Sequence, residues 1–241
     1  MLTTAQKSAY AQDGYLLLHD VISPQLVEEI HHELHRFGAR VPGTVSINDE
    51  EIWGDPTIPD GALLQTIPQR LLALPTVIEP VQELLGADSQ MFVSTPLLVR
   101  ASRGQVYWHR DFDYAFEYLV SESHAPDLLT DLDTQSLHPQ ALGIEDFVVI
   151  ALFLQDTSEA LGPMRVIPGS HRWEHAPTQS QAEALPTAVH LPVPAGTAVV
   201  YASCVWHSLG RNTSSTDCWI FALGFRPQNL GPMFEALQRQ S

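Results

Sequence analysis

The segment QVYWHRDFDY, residues 105–114, sets a histidine and an aspartate one residue apart, His109 and Asp111, with a second carboxylate at Asp113. Its aromatic and β-branched residues read as a strand. In a strand, residues i and i+2 face the same way, so His109 and Asp111 reach one point and Arg110 faces away. Asp113 shares their face. A His-x-Asp pair supplies two of the three protein ligands of the two-histidine, one-carboxylate site that leaves open positions on a non-haem Fe(II) ion. On the pair alone, a polar strand edge is the simpler reading.

A third ligand has to come from elsewhere in the chain. His207 follows the apolar run GTAVVYASCVW. A histidine at the end of a buried strand in an antiparallel barrel can project into the barrel mouth. A hydrogen-bonded core histidine is the alternative. The segment HHELH places His31 and His35 one helical turn apart, a spacing that can hold metal. Here His32-Glu33 lacks the second histidine four residues on, so a solvated helix face is expected. His19, His124, His138, His175 and His190 have no partner at ligand spacing, and His171 belongs to the run IPGSHR.

These side chains need a scaffold. The chain has 241 residues, 44% of them hydrophobic and 17% charged, which suits one large domain with a sizeable core. A formal net charge of −16 excludes a backbone-tracking nucleic-acid binder and disfavours anionic membranes. Lys7 is the single lysine; the other cations are arginines, the residue best shaped to hold a carboxylate. No signal-like or membrane-spanning apolar run occurs, and a cytoplasmic location is expected. Cys204 and Cys218 are too few for a disulfide framework and read as small buried residues.

The opening DGYLLLHDVIS reads as a short strand. Ser23 and Pro24 then start a helix whose Val27, Ile30, Leu34 and Phe37 share one face. Residues 41–62 are loop-like, and a further helix is expected from near Thr76 to Gly86. From there the character changes to short runs of β-branched and aromatic residues separated by turns: SQMFVSTPLLVRAS, GQVYWHRDF, FVVIALFLQD, GPMRVIPGS, AVHLPVP, GTAVVYASCVW and CWIFALGFRP. Helices first and strands later, without βαβ alternation, predict a mainly β antiparallel barrel or sandwich with flanking helices. An acidic segment at 114–146 interrupts the strands and reads as a lid or insertion. Its Tyr114, Phe116 and Tyr118 either line the entrance or pack the insertion onto the barrel.

Taken together, YWHRDF, ALFLQDTSEALGPMRVIPGSHRW and GTAVVYASCVWHSLGRNTSS resemble the phytanoyl-CoA dioxygenase family in order and spacing. The resemblance covers nearly the whole chain apart from the 114–146 insertion. It implies a double-stranded β-helix, or jelly roll, organised as a single oxygenase domain over 1–241. The helical part then covers about 1–86 and the barrel about 87–230. It implies Fe(II) held by His109, Asp111 and His207, with 2-oxoglutarate and O2 as cosubstrates. It further implies a small-molecule substrate that is hydroxylated or otherwise oxidised while 2-oxoglutarate becomes succinate and CO2. Related halogenases carry a small residue at the aspartate position, so Asp111 favours oxidation over halogenation.

One departure stands out. The family usually carries an arginine about eleven residues after the distal histidine, paired with the far carboxylate of 2-oxoglutarate. Here that position is Cys218. Arg100, on the strand before His109, is a candidate substitute at the cofactor end. Arg211 lies in the turn beside His207, and Arg165 occupies an ordinary family position. Arg226 lies eight residues beyond Cys218, about 26 Å along an extended strand. Two rival readings follow: an iron oxygenase that does without 2-oxoglutarate, or a barrel that binds metal or ligand without catalysis. The scarcity of cations argues against a CoA thioester and for a smaller neutral or zwitterionic metabolite.

Overall fold

The computed structural model describes residues 1–38, 46–47, 50–52, 61–102, 105–113, 147–173 and 177–230. The 114–146 insertion, with Tyr114, Phe116 and Tyr118, lies outside the described residues.

Helix α1 (Thr4–Asp13) opens with a reciprocal cap, Thr3 accepting from the Gln6 backbone while the Gln6 side chain accepts from Thr3. It ends at Gly14, whose φ of 81° only glycine adopts without strain. A Cβ there would also overlap the His171 ring and the Val205 side chain. The predicted strand follows as β1 (Tyr15–Leu18). The expected helix follows as α2 (Pro24–Gly38), with Ser23 Oγ accepting from the Leu26 N–H. Two more helices are α3 (Gly61–Leu72) and α4 (Pro75–Leu85). The second matches expectation within a residue. The first was not expected, because Pro68 stands inside it and proline normally signals a helix end.

The strands are β2 (Ser46–Ile47), β3 (Glu50–Ile52), β4 (Gln90–Val99), β5 (Val106–His109), β6 (Val148–Phe153), β7 (Met164–Val166), β8 (Val189–Leu191), β9 (Ala198–Ala202), β10 (His207–Leu209) and β11 (Cys218–Arg226). They form two antiparallel sheets. The larger has the order β1-β9-β6-β11-β4-β3-β2, and the smaller β5-β10-β7-β8. This is the jelly-roll architecture expected from the sequence.

The central strands β6 and β9 of the larger sheet are buried on both faces, which explains why β6 is apolar at every position rather than alternating. Val148, Ile150 and Leu152 of β6, with Trp219, Phe221 and Leu223 of β11, face the helices. There they meet Val27, Ile30 and Leu34 of α2, Ile67 and Leu71 of α3, and Val77 and Val81 of α4. The opposite face turns inward. Val149, Ala151 and Phe153 pack with Val199 and Tyr201 of β9 and with Cys218 and Ile220 of β11, against Val106, Met164, Val166, Leu191 and Leu209 of the smaller sheet. Each fully buried aliphatic side chain contributes about 1.5–3 kcal/mol.

Candidate metal centre

Strands β5 and β10 pair so that His109 faces His207 and Val106 faces Leu209. The step from Val106 to His109 is three residues on β5 and two on β10, so β5 carries a bulge. Without it, Val106 and His109 would point to opposite faces. With it, Val106 joins the interior, Trp108 packs outside against Ile167 and Trp206, and His109 turns back inward.

The strand ends at His109. Residues 111–113 are helical, so Asp111 reaches the site across a strand-to-helix turn and not by i, i+2 alternation. The Phe112 N–H donates to the Ser203 carbonyl at 3.0 Å, and the buried Phe112 ring packs on Phe147, which fixes the turn. The same turn removes Asp113 from the His109–Asp111 face. Asp113 pairs with Arg110 at 2.6 Å, and Arg110 is almost wholly buried on the side facing away.

His207 also arrives differently from the expectation. Strand β9 stops at Ala202, the chain turns through 203–206, and His207 opens β10 in the other sheet, between β5 and β7. The apolar run that reads as one strand is therefore a strand and a turn, and His207, Ser208 and Leu209 form β10.

The three side chains meet. His109 Nε2 lies 3.4 Å from Asp111 Oδ1, His207 Nε2 lies 3.7 Å from Asp111 Oδ2, and one ligand atom from each residue falls within 4.8 Å of the others. Each imidazole is held from behind. His109 Nδ1 is 2.8 Å from the Tyr107 carbonyl and His207 Nδ1 is 2.9 Å from the Val205 carbonyl. A carbonyl only accepts, so each Nδ1 carries the proton and each Nε2 presents its lone pair to the centre. The Tyr201 hydroxyl donates to Asp111 Oδ2 at 2.7 Å.

Electrostatics match this arrangement. Burial alone would raise the Asp111 carboxyl. The facing His207 and His109 and the Tyr201 hydroxyl reverse this and hold it well below the ordinary carboxylate range. Burial, then the facing His109, push His207 down to about 4, so it is neutral at pH 7. Burial beside the Asp111 charge raises the Tyr201 phenol well above its usual value, so it stays a donor. The centre gathers the Nε2 atoms of two imidazoles and one carboxylate, a donor set that suits Fe(II) with open positions left. Among the described residues this is the only such cluster of His, Cys, Asp or Glu. His31 and His35 stack edge to face on α2, 4.5 Å apart, away from it.

Residues 10–217 match the family described as Phytanoyl-CoA dioxygenase. The chain belongs to that family. L-proline trans-4-hydroxylase of Streptomyces griseoviridis is 27% identical over 61% of this chain and 58% of its own length. Ectoine dioxygenase of Bordetella parapertussis is 27% identical over 71% of this chain and 50% of its own length. The chain thus spans about half the length of these relatives. Among solved structures, HygX from Streptomyces hygroscopicus with nickel and 2-oxoglutarate bound superposes with a TM-score of 0.71 at 19% identity, covering 95% of this chain and 88% of that one. EctD from S. alaskensis with 2-oxoglutarate and 5-hydroxyectoine gives 0.68 at 18%, covering 94% and 76%. At such identities the likeness establishes the fold.

The two residues expected at the cofactor end fall on different sides of the larger sheet. Cys218 pairs with Val99 and faces the interior. Arg100 follows Val99 and ends on Asp217 at 3.2 Å, on the side of Leu98 and Trp219 that the helices cover. The structure does not bring Arg100 and Cys218 together. Two residues beside the predicted ones, Tyr201 next to Asp111 and Gln155 next to Cys218, escaped the sequence reading. Tyr201 could have been found from alternation in AVVYA, which puts Val199 and Tyr201 on one face. Gln155 had no signal of its own. It becomes visible only because the β6–β11 register sets it beside Cys218.

Proposed function

We propose that the protein is an Fe(II)- and 2-oxoglutarate-dependent dioxygenase that hydroxylates or otherwise oxidises a small-molecule metabolite. The reading rests on the convergence of His109 Nε2, His207 Nε2 and the Asp111 carboxylate inside a jelly roll, with both Nδ1 atoms already committed to carbonyls. These three residues are the metal ligands. Bound Fe(II), with O2 and the oxo acid, supplies the oxidising chemistry.

The protein's own contribution is placement. The bulge in β5 aims His109, the turn at 111–113 carries Asp111 over it, and β10 sets His207 opposite. The Tyr201 hydroxyl holds the Asp111 carboxylate in place through Oδ2, so that the carboxylate would be available as a ligand. The apolar interior from Val166 to Ile220 excludes water from the reaction.

Family membership, and relatives named for L-proline and ectoine, support a substrate of that size. The net charge of −16 argues against nucleic acids and CoA thioesters. A cytoplasmic enzyme forming one domain over 1–241, with a substrate-covering insertion at 114–146, is part of the same proposal. Among the described residues no helix is long and apolar enough to cross a membrane.

His109→Ala, Asp111→Ala and His207→Ala should each abolish iron binding and succinate formation, read by metal analysis of purified protein and by a succinate assay. Full iron stoichiometry in all three variants would remove the assignment. A second reading, an iron oxygenase that does without 2-oxoglutarate, draws on Cys218. Dioxygen uptake with substrate but without the oxo acid would support it.

A further inference from the structure

If the proposed function holds, 2-oxoglutarate brings two carboxylates. One binds with the keto group at the metal, and the other enters the protein. An ionised carboxylate taken from water needs a counter-charge or several donors. Nine of the twelve cations of the chain are described, and each is committed or exposed. Lys7 pairs with Glu83, Arg70 with Glu29 and Glu33, Arg100 with Asp217, Arg110 with Asp113, and Arg165 with Glu183. Arg172 donates to the Ala11 and Gln12 carbonyls and Arg226 to Gln90, while Arg36 and Arg211 are exposed. Among the described residues, none reaches the Cys218 end of the barrel interior: Arg100 turns to the helix side, and Arg226 lies eight residues along β11.

The row across the larger sheet at this end reads Val99, Cys218, Gln155. Cys218 opposes Val99 directly, and the pairing of Ile220 with Phe153 places Gln155 beside Cys218 on the same inward face. The Gln155 amide is oriented by its neighbour, since Oε1 accepts the Trp219 backbone N–H at 3.2 Å. A backbone donor fixes which end of the amide is oxygen. Gln155 Nε2 therefore points away from Trp219, beside the Cys218 sulfur, and among the described residues it is buried with no oxygen or nitrogen acceptor. A buried amide donor without an acceptor costs stability unless a ligand supplies one.

We propose that Gln155 is the specificity-determining residue for the far end of the oxo-acid cosubstrate. Its Nε2, next to the neutral Cys218 thiol, stands where the family would place a guanidinium. The far carboxylate of 2-oxoglutarate is then held by a neutral amide, and an oxo acid with an apolar tail loses little by comparison.

The test is an anaerobic titration of the Fe(II)-loaded protein, reading the visible absorption of the iron–oxo-acid chelate. The probes are 2-oxoglutarate and 4-methyl-2-oxopentanoate. Gln155→Glu keeps the acceptor for the Trp219 N–H but sets a negative charge against the carboxylate. It should weaken 2-oxoglutarate about tenfold or more while leaving 4-methyl-2-oxopentanoate nearly unchanged. Gln155→Leu should weaken 2-oxoglutarate in the same direction, and Gln155→Arg should tighten it. Iron content and circular dichroism confirm that each variant is folded and loaded. Wild-type affinity for 2-oxoglutarate in both the Glu and Leu variants would overturn the proposal and leave the proposed function intact. Iron-loaded wild-type protein that gives no chelate with either acid would overturn both.

Discussion

Tyr201 and Cys218 lie on the same inward surface but act on charge in opposite ways. The Tyr201 hydroxyl stabilises the Asp111 carboxylate by a 2.7 Å bond. Tyr201→Phe should weaken Fe(II) binding about 10–100-fold, the range for lost partners of metal ligands, as read by competition with a chelator at fixed pH. Cys218 resists charge. Burial pushes its thiol up to about 12 from an ordinary 9.0. Between these values the folded protein holds a proton that the unfolded chain releases, so stability falls as pH rises through that window. Cys218→Val should lose less stability than the wild type between pH 9 and 12, measured by urea unfolding at each pH. The residue identities at the centre were legible in the sequence: His109, Asp111 and His207 are the residues that meet. Their partners were not, because a hydrogen bond from Tyr201 to a residue ninety positions away leaves no local pattern.

Among the elements, β5 carries the most consequence for its length. Its bulge puts Val106 and His109 on one side of the strand, three residues apart. Deleting Tyr107 would restore regular pairing and leave His109 two residues from Val106, still on the inward face. That variant should keep its far-UV circular dichroism and its iron. Element types were mostly readable: α2 from Ser23-Pro24 and its apolar face, and β6 and β11 from continuous apolar runs. The misreadings have physical causes. Period-two reasoning assumes a regular strand, and β5 has a bulge and then a helical turn. A run such as GTAVVYASCVW is equally apolar through a strand and a buried turn, so β10 stayed hidden. In α3 the surrounding core outweighs the local preference of Pro68.

For the whole molecule, the larger sheet separates two cores with different tasks. The helix-side core holds the fold together, and the inward core shapes the site. Ile30 is fully buried on the helix side. Ile30→Ala should cost about 2–5 kcal/mol in urea unfolding while leaving iron stoichiometry at wild-type level below the transition. A change in iron content of the folded protein would show that the two cores are coupled. An antiparallel barrel or sandwich was legible from helices followed by strands without βαβ alternation, and the family resemblance narrowed it to a jelly roll. The division of the strands into sheets of seven and four was not, since it depends on pairings between distant segments.

The position of β11 has a consequence for biosynthesis. It is the last of the strands among the described residues, yet it lies in the middle of the larger sheet, between β6 and β4. Until it leaves the ribosome, the nascent protein has two apolar strand edges facing each other across a gap, and such edges invite other chains. The sheet, and with it the proposed iron site, closes by insertion of β11, so synthesis must pass Arg226 before the site is complete. Synthesis stalled before Cys218 should yield aggregates, and chaperones that shield open sheet edges should raise the yield of full-length protein.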